Sequence, residues 1–445
     1  MPFSPARAAA FDILVRVERE SSYASELLHS AAYAGLSTAD HALATELVMG
    51  VLRWRSVLDD RISTASSQPL KKLDLEVLIA LRLGVYQFGW LSRIPARAAL
   101  HESVELVKRA RKRSSASYVN AVLRKLSEDP LCSSVPSVVK ISADTLSETY
   151  AHPAWLVERW VNQYGLPAVQ QICIHNQAIP TTSLRLRTPE AESELHVEGI
   201  SLAPGNFLAS ARRVNSGEIT KTHSFRSAHI VIQDEASQLI AGLIGPGHDR
   251  ILDCCAAPGG KTLAIADLNP NASIAAAEIH PHRARQMQER FPAARKIRTL
   301  VADARHLPLT ERFDRVLADV PCSGTGTLSR NPEIKWRLRP TDLQELHERQ
   351  LAILRSALTH LAPGGRLIYS TCSLEKEENE DVVDQMLKES SDFRLLDCGR
   401  ELDRLAETGV LTWPKPASLT RGPYLRTIPG AHPCDGFFAA ILQKT

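Results

Sequence analysis

The sequence predicts an α/β protein in which an all-helical domain and a small α+β module precede a domain with a doubly wound, mostly parallel sheet. Residues 1–130 show helical periodicity, a mixed pattern continues to residue 227, and short aliphatic runs then alternate with helical stretches. A length of 445 residues is sufficient for about three domains. We therefore predict domains over residues 1–130, 131–227 and 228–445.

Composition and charge narrow the class of protein further. The chain is 44% hydrophobic and 23% charged, and its net charge is +3, which excludes a disordered chain or a histone-like polycation. The first 20 residues lack a signal-peptide pattern, and no run of 18 apolar residues is present. The eight cysteines include no CxxC pair. We expect a cytoplasmic monomer that binds neither a membrane nor a metal.

The helical domain is predicted from start signals and apolar faces. Ser37 and Asp40 have the spacing of a helix start, and apolar residues follow them at intervals of three or four positions. Further amphipathic stretches cover residues 75–91, 101–108 and 117–126. Strand-like alternation is nearly absent from this region, so we predict a helical bundle.

The middle of the chain mixes helical and extended patterns. Pro130 and Pro136 mark a linker. Residues 155–164 and 166–175 then predict helices, and Thr182–Arg187 predicts a strand. This mixture indicates a small α+β module.

The last domain is predicted from alternating strands and helices. Its predicted strands cover residues 229–232, 251–254, 273–277, 297–301, 315–318 and 366–370. The longest helical stretch, 341–361, begins with the capping-box pair Thr341 and Gln344. Residues 436–442 predict one more strand, added in the antiparallel direction.

A polar turn follows the first strong strand of this domain, at the edge where such sheets bind ligands. Residues 253–262 read Asp-Cys-Cys-Ala-Ala-Pro-Gly-Gly-Lys-Thr, and the paired glycines let the backbone approach a ligand closely. Glu278 ends the second strand, where a carboxylate can accept both ribose hydroxyls, and Asp303 ends the third, beside the expected adenine. Taken alone, each acid is more often a solvated loop carboxylate. Because the chain has neither a phosphate-binding loop nor a dinucleotide fingerprint, S-adenosylmethionine is a better candidate than NAD or ATP.

Two cysteines lie at the tips of neighbouring predicted strands, on the same side as this turn. Cys322 follows Asp319 after the fourth strand, and Cys372 follows the fifth. Most buried cysteines are inert, but a loop position close to Asp319 and Lys261 favours a reactive thiol. A thiolate that adds to C6 of cytosine makes C5 able to attack a sulfonium methyl group, so the pair indicates cytosine-5 methylation.

Three motifs carry a resemblance to a known family: D-x-C-A-A-P-G-G-K-T at 253–262, D-x-P-C-S-G-T-G at 319–326 and Y-S-T-C-S at 369–373. In this order they resemble the RNA cytosine-5 methyltransferases, and the match extends to residues 233–238, 330–336 and 377–380. Residues 118–125 resemble part of the NusB-like domain of the RsmB/Sun/Fmu type. The resemblance implies a NusB-like RNA-binding domain, a ferredoxin- or RRM-like module and a Rossmann-like methyltransferase domain.

The resemblance also implies roles for individual residues. Cys372 is the expected nucleophile, Cys322 assists breakdown of the adduct and product release, and Asp319 contacts N3 of the target base. The residues expected to hold S-adenosylmethionine are Cys255, Ala256, Ala257, Pro258, Gly259, Gly260, Lys261, Glu278, Asp303 and Asp319. The sequence departs from the family pattern at Val320 and Lys376, and neither position carries an expected role.

Two basic clusters predict contacts with RNA phosphates. The first lies in the helical domain and comprises Lys108, Arg109, Arg111, Lys112, Arg113, Arg124 and Lys125. The second follows the Cys322 loop and comprises Arg330, Lys335, Trp336, Arg337 and Arg339. A solvated charged face is the alternative for each cluster. His280 and His282 are flanked by no matching ligands, so we expect no metal there.

Three functions remain open from the sequence. The favoured one is S-adenosylmethionine-dependent methylation of cytosine C5 in 16S rRNA, either naked or in a partly assembled small subunit. A tRNA substrate is the nearest alternative because the catalytic motifs are shared across the family. A non-catalytic NusB-like RNA-binding or antitermination factor is the third, and the presence of both Cys322 and Cys372 argues against it.

Overall fold

The computed structural model describes residues 4–20, 22–128, 141–291 and 295–445, which form two compact units. The units are Met1–Ile179 with Leu328–Arg337, and Pro180–Thr327 with Leu338–Thr445. The predicted linker prolines, Pro130 and Pro136, lie outside the described residues. The domain boundaries placed at residues 130 and 227 stay predictions.

The first unit is helical wherever it is described. Its helices are α1 (Pro5–Glu20), α2 (Ala24–Leu28), α3 (Thr38–Ala65), α4 (Leu75–Trp90), α5 (Ala96–Arg109), α6 (Ala116–Ser127), α7 (Ala143–Thr149), α8 (Ala154–Tyr164), α9 (Leu166–Gln177) and α15 (Ile334–Arg337). The predicted start of α3 is confirmed, because the Ser37 hydroxyl accepts a hydrogen bond from the Asp40 amide. Leu14, Leu47 and Leu83 are buried in one apolar core that the helices from α1 to α6 share, which confirms the helical prediction.

A small antiparallel sheet begins the second unit. Its elements are β1 (Ser183–Leu186), α10 (Ala191–Val197), β2 (Ser201–Pro204), β3 (Ala211–Ser216), α11 (His223–Arg226) and β4 (Ile230–Ile232). The strand order is β2-β3-β1-β4, so β4 pairs with β1. The assignment of residues 229–232 to the large sheet was therefore wrong. A short apolar run specifies a strand but not the partner with which it pairs.

Within the described residues, the large sheet has nine strands, with helices on both faces. Its elements are α12 (Glu235–Gly242), β5 (Arg250–Asp253), α13 (Gly260–Leu268), β6 (Ser273–Glu278), α14 (Pro281–Arg290), β7 (Ile297–Val301), β8 (Phe313–Asp319), α16 (Asp342–Thr359), β9 (Leu361–Thr371), α17 (Glu380–Glu389), β10 (Phe393–Leu396), α18 (Cys398–Glu407), β11 (Thr420–Arg421), β12 (Tyr424–Arg426) and β13 (Phe438–Lys444). The order is β11-β12-β13-β9-β8-β5-β6-β7, with β10 paired to β13. The pairs among β5 to β9 are parallel. The predicted doubly wound fold is confirmed.

Both faces of this sheet are buried, and successive apolar side chains along a central strand pack into opposite faces. Ile251 of β5 belongs to one apolar cluster and its neighbour Leu252 to the other. The antiparallel strand predicted near the C-terminus is confirmed as β13, which pairs with β9. The capping box predicted at Thr341 is wrong. Thr341 already has helical backbone angles and its side chain caps nothing, while the Asp342 carboxylate accepts from the Arg339 amide instead.

Candidate active site

The carboxyl ends of the parallel strands place four acids along one edge of the large sheet. Asp253, Glu278 and Asp319 are the last residues of β5, β6 and β8, and Asp303 lies two residues beyond the end of β7. Cys372 follows directly after β9. Parallel strands end on the same side of a sheet, so residues separated by more than a hundred positions meet there.

The turn between β5 and α13 depends on its two glycines. Gly259 has φ +98°, and a Cβ at this position would lie 2.9 Å from Cγ of Met287. A Cβ at Gly260 would come within 3.4 Å of the amide of Gln233. A side chain at Gly259 would therefore strain the backbone and crowd Met287, whereas a Cβ at Gly260 would only touch the Gln233 amide.

Asp253 lies beneath this turn and is 1% exposed. Its Oδ2 accepts a hydrogen bond of 2.7 Å from the Thr262 hydroxyl, but Oδ1 is buried without a partner among the described residues. Burial raises the pKa of Asp253 to about 6. A buried acceptor without a donor is costly, so this oxygen is ready to accept a donor from a ligand.

Two cavities lie on either side of Cys255, which lines both of them. The larger has a volume of about 400 Å³ and is lined by Glu278, Asp303 and Pro321 among others. The smaller has a volume of about 130 Å³, and polar or charged residues make up much of its lining: Gln233, Ser237, Asp253, Lys261 and Asp319. The site therefore offers one nucleoside-sized cavity and one small polar cavity.

The two acids of the larger cavity differ in their surroundings. Glu278 is 7% exposed and accepts a hydrogen bond of 2.8 Å from the His280 amide. Asp303 forms an ion pair of 2.6 Å with Arg305, and this hydrogen-bonded contact lowers the pKa of Asp303. Arg305 therefore competes with a bound adenine for the carboxylate oxygens of Asp303, which the sequence predicts to lie beside the adenine.

Lys261 and Asp319 form an ion pair of 2.7 Å at the centre of the edge. Burial opposes the charged form of Lys261, but the Asp319 carboxylate outweighs it, with help from Cys372 and Asp253, so the pKa of Lys261 is raised. The other oxygen of Asp319 accepts a hydrogen bond of 2.7 Å from Ser370. The structure thus brings three of the predicted site residues, Lys261, Asp319 and Cys372, into one electrostatic group.

The sulfur atoms of Cys322 and Cys372 lie 3.4 Å apart. The hydrogen bond with Cys372, reinforced by burial and by the charges of Cys372 and Glu378, raises the pKa of Cys322 well above its usual range. The thiol of Cys322 can therefore act as the donor in its contact with Cys372. Cys372 in turn contributes to the raised pKa of Lys261.

One buried carboxylate connects the two cysteine loops. The sequence predicted no role for it. Glu378 is 0% exposed and accepts hydrogen bonds from Ser323, the residue after Cys322, through both its amide and its hydroxyl. The hydroxyl of Ser373, the residue after Cys372, donates to the same carboxylate, as does the Gln350 amide at 2.9 Å. Glu378 belonged to a stretch that resembled the family, yet nothing in one sequence indicates a shared acceptor. We name Glu378 and its three donor residues the loop clamp.

The first basic cluster lies in the helical unit and is partly neutralised by that unit's own acids. Lys108, Arg109 and Lys112 form ion pairs with Glu105, Asp12 and Asp74 at 2.7, 2.7 and 2.9 Å. Exposed basic residues of this cluster for which the described residues provide no carboxylate partner are Arg111, Arg113, Arg124 and Lys125, and Lys125 donates to the Thr64 carbonyl at 3.2 Å. These three arginines are the part of the cluster best placed to meet a phosphate.

The second cluster is used inside the helical unit, which contradicts a phosphate-binding role for its centre. Lys335 is 1% exposed, donates to the Arg53 carbonyl at 2.9 Å, and has its pKa lowered well below the usual range by burial. The Trp336 indole donates to the Leu52 carbonyl at 2.6 Å. Arg337 donates to the carbonyls of Val17 and Ser22 at 2.7 and 2.6 Å. Arg330 is half-buried and Arg339 is exposed.

Comparison with known proteins agrees with this architecture. Residues 243–443 match the family of 16S rRNA methyltransferases RsmB/F, and residues 4–128 match the NusB family. The Bacillus subtilis protein named "Probable ribosomal RNA small subunit methyltransferase B" is 34% identical over 455 residues, covering 98% of both chains. Ribosomal RNA small subunit methyltransferase B of Vibrio cholerae is 30% identical and covers 98% of this chain and 97% of its own. The crystal structure of PH0851 is 24% identical, covers 100% of both chains with a TM-score of 0.81, and shows the same fold.

These matches and the sheet define a methyltransferase with a Rossmann-like domain. The chain belongs to the 16S rRNA methyltransferase RsmB/F family, and its N-terminal domain is NusB-like, as the sequence predicted. Among the residues described, every helix is too short or too polar to cross a lipid bilayer. The same residues bring together no group of three or more histidine, cysteine or acidic side chains suited to a metal ion.

Proposed function

We propose that this protein transfers a methyl group from S-adenosylmethionine to C5 of a specific cytidine in 16S rRNA, through a covalent bond between Cys372 and C6 of the base. The observation that carries the proposal is the 3.4 Å separation of the Cys322 and Cys372 sulfurs beside the Lys261–Asp319 pair. The names of the relatives support ribosomal RNA of the small subunit as the substrate.

Cys372 is the proposed nucleophile because it follows β9 at the sheet edge, with the Cys322 sulfur 3.4 Å away. Lys261 and Asp319 form their ion pair at the same edge. Attack forms a bond between Sγ of Cys372 and C6, and the electron pair of the C5–C6 double bond moves onto C5 and toward N3. The proton held by the Lys261–Asp319 pair offsets the negative charge at N3.

Release of the product requires a proton to leave C5. When bound, S-adenosylmethionine supplies the methyl group that the electron-rich C5 accepts. Removal of the C5 proton by a base re-forms the C5–C6 double bond, breaks the S–C6 bond and returns the electron pair to Cys372. We assign Cys322 to this stage because its sulfur lies 3.4 Å from that of Cys372. In its absence the adduct should persist.

The residues at the sheet edge fit S-adenosylmethionine. The unpartnered Oδ1 of Asp253 offers an acceptor in the smaller cavity, and the larger cavity presents the carboxylates of Glu278 and Asp303 to a ribose and an adenine. Gly259 and Gly260, which lack side chains, allow a cofactor to approach the backbone of the turn closely. The proposed cofactor-binding residues remain Cys255 to Lys261 with Glu278, Asp303 and Asp319.

Two cysteine substitutions test the proposed chemistry. With labelled S-adenosylmethionine and 16S rRNA from unmodified cells, Cys372→Ser should abolish methyl transfer. Cys322→Ser should accumulate a protein–RNA adduct that survives denaturation. Cys398→Ser, which changes a buried cysteine at the start of α18, is the control and should behave as the wild type. Normal transfer by Cys372→Ser, or no adduct with Cys322→Ser, would show that the roles are wrong.

The substrate is tested separately, because the chemistry is shared with a tRNA cytosine-5 methyltransferase. Purified 16S rRNA, a partly assembled small subunit and tRNA are offered in parallel. Transfer to either form of rRNA supports the proposal, whereas transfer to tRNA alone refutes the substrate and leaves the chemistry intact. RNA binding without transfer to any substrate would favour a NusB-like binding factor. We further propose that the protein acts in the cytoplasm as a monomer.

A further inference from the structure

The two site cysteines lie close enough to react with each other as well as with RNA. Their sulfurs are 3.4 Å apart, and a disulfide bond is about 2.05 Å long, so an approach of about 1.4 Å is sufficient for a bond. Cys322 follows β8 and Cys372 follows β9, which are neighbouring parallel strands. The Gly326 amide donates to the Cys372 carbonyl at 2.9 Å, so the two loops stay adjacent beyond the strands.

The loop clamp keeps the two cysteines in this arrangement. Ser323 and Ser373, the residues that follow the two cysteines, both donate to the buried carboxylate of Glu378. Their hydroxyl oxygens lie 3.0 Å apart. Because one buried group holds both loops, each thiol meets the other at a high effective concentration.

A small oxidant has access to this pair of thiols. Cys322 and Cys372 are half-buried, and among the described residues only Cys255 shares that exposure, since the other cysteines are buried. Burial raises the pKa of the Cys255 thiol well above its usual range, which makes it a poor nucleophile. Oxidation is therefore expected first at Cys372, the proposed nucleophile, with Cys322 as the second thiol.

We propose that Cys322 and Cys372 are a site of reversible oxidation, at which hydrogen peroxide or another hydroperoxide forms a disulfide that stops methyl transfer. Sγ of Cys372 attacks one oxygen of hydrogen peroxide, the O–O bond breaks, and a sulfenic acid and one water molecule are formed. Sγ of Cys322 then attacks the Cys372 sulfur, the S–O bond breaks, and the hydroxide leaves with the Cys322 proton as a second water. Two thiols lose two electrons in all, and the peroxide is reduced to two water molecules.

The disulfide both inactivates and protects the nucleophile. A sulfenic acid without a neighbouring thiol is oxidised further to a sulfinic acid, which thiol reductants do not restore. Disulfides of proteins in a reducing compartment are usually transient and linked to catalysis or redox sensing. The effect on methyl transfer rests on the proposed function, whereas formation of the bond depends only on the two sulfurs.

The test treats the full-length protein with hydrogen peroxide, removes the excess with catalase and blocks the remaining thiols with iodoacetamide. Mass spectrometry of the unreduced digest should then show the Cys322 and Cys372 peptides joined to each other. Methyl transfer to 16S rRNA should be lost as the joined peptides appear, and dithiothreitol should return it to the untreated level. Cys398→Ser, which changes a buried cysteine of α18, is the control and should behave as the wild type.

Cys322→Ser separates the disulfide from simple damage to the nucleophile. Its adduct with rRNA, which also shows that the variant is folded, should no longer form after peroxide, and dithiothreitol should not restore it. The proposal is refuted if the wild type yields no joined peptides, if Cys372 accumulates as the sulfinic acid, or if the joined protein still transfers methyl groups. Joined peptides in a wild type that transfers no methyl group before treatment would refute the proposed function and leave the disulfide in place, which is a distinguishable result.

Discussion

Substitutions at Glu378 test whether the loop clamp holds the two cysteines in position. Oε1 of Glu378 accepts from two N–H donors, the backbone amide of Ser323 and Nε2 of Gln350, at 2.8 and 2.9 Å. Oε2 accepts from the hydroxyls of Ser323 and Ser373, which can also act as acceptors. Oε1 must therefore be replaced by another acceptor, whereas Oε2 can be replaced by a donor to which the two hydroxyls accept.

This difference sets the size of each expected effect. Glu378→Ala leaves the Ser323 amide unpaired, while Nε2 of Gln350 keeps its hydrogen bond to the Pro321 carbonyl, so the free energy of unfolding should fall by about 1–3 kcal/mol. Glu378→Gln can place its carbonyl at the Oε1 position and its amide toward the hydroxyls, and should lose only about 1 kcal/mol of charge-assisted bonding. Displacement of the cysteines by about 1 Å should lower kcat of the Ala variant about 100-fold, without a change in S-adenosylhomocysteine affinity.

Alkylation of Cys322 separates a role in the site from simple stabilisation. The negative charge of Glu378 contributes to the raised pKa of Cys322, so Glu378→Gln should shift the alkylation midpoint of Cys322 to lower pH. Iodoacetamide labelling of the Cys322 peptide, followed by mass spectrometry across a pH series, measures the midpoint. The control is Glu389→Gln, which changes an exposed carboxylate paired with Arg355. Wild-type turnover in Glu378→Ala, with an unshifted midpoint in Glu378→Gln, would refute the reasoning.

Two further predictions concern buried charge and RNA. The folded-state pKa of Asp253 is raised from 3.8 to about 6, so its favourable contribution to stability is present below pH 3.8 and is lost as the pH rises through 6. In urea denaturation, the stability of Asp253→Asn relative to the wild type should therefore increase by about 2.4 kcal/mol between pH 4 and pH 8, and a constant difference would contradict this. Replacing Arg111, Arg113 and Arg124 by Ala should weaken rRNA binding and reduce the slope of log affinity against log salt by about 2 to 3. Lys335→Met is the control, since the Lys335 ammonium is bonded inside the protein, and an equal change in slope would place the contact elsewhere.

The edge of the large sheet was predictable because it depends on local sequence. A short aliphatic run followed by a Gly-Gly turn specifies the end of β5 and the start of α13 within about ten residues of chain. The ends of β6 and β8, where Glu278 and Asp319 lie, were also predictable from the residues next to them in the sequence. Once the strands are taken as parallel, their ends must meet, so Cys322 and Cys372 were expected together from positions 50 residues apart.

Pairing and burial, in contrast, depend on residues distant in the chain. The run at β4 has the composition of a strand of the large sheet, yet Val231 pairs with Arg185 of the small one. Lys335 and Trp336 read as a basic, aromatic surface, but the helical unit provides carbonyls about 280 positions away that bury them. Local sequence specifies a helix or strand and which of its residues are polar. Packing in the folded protein determines which other element covers it.

The sequence by itself therefore determined the fold class, the helical N-terminal domain and the strand ends that carry Asp253, Asp319 and Cys372. The tertiary structure decided which charges remain free. It removed Lys335 from the surface and assigned Glu378 to both cysteine loops at once. It also left the Gln233 carbonyl without a donor beside Asp253. The physical reason is that a hydrogen-bond partner and a desolvated environment are supplied by three-dimensional neighbours, about which adjacent residues carry no information.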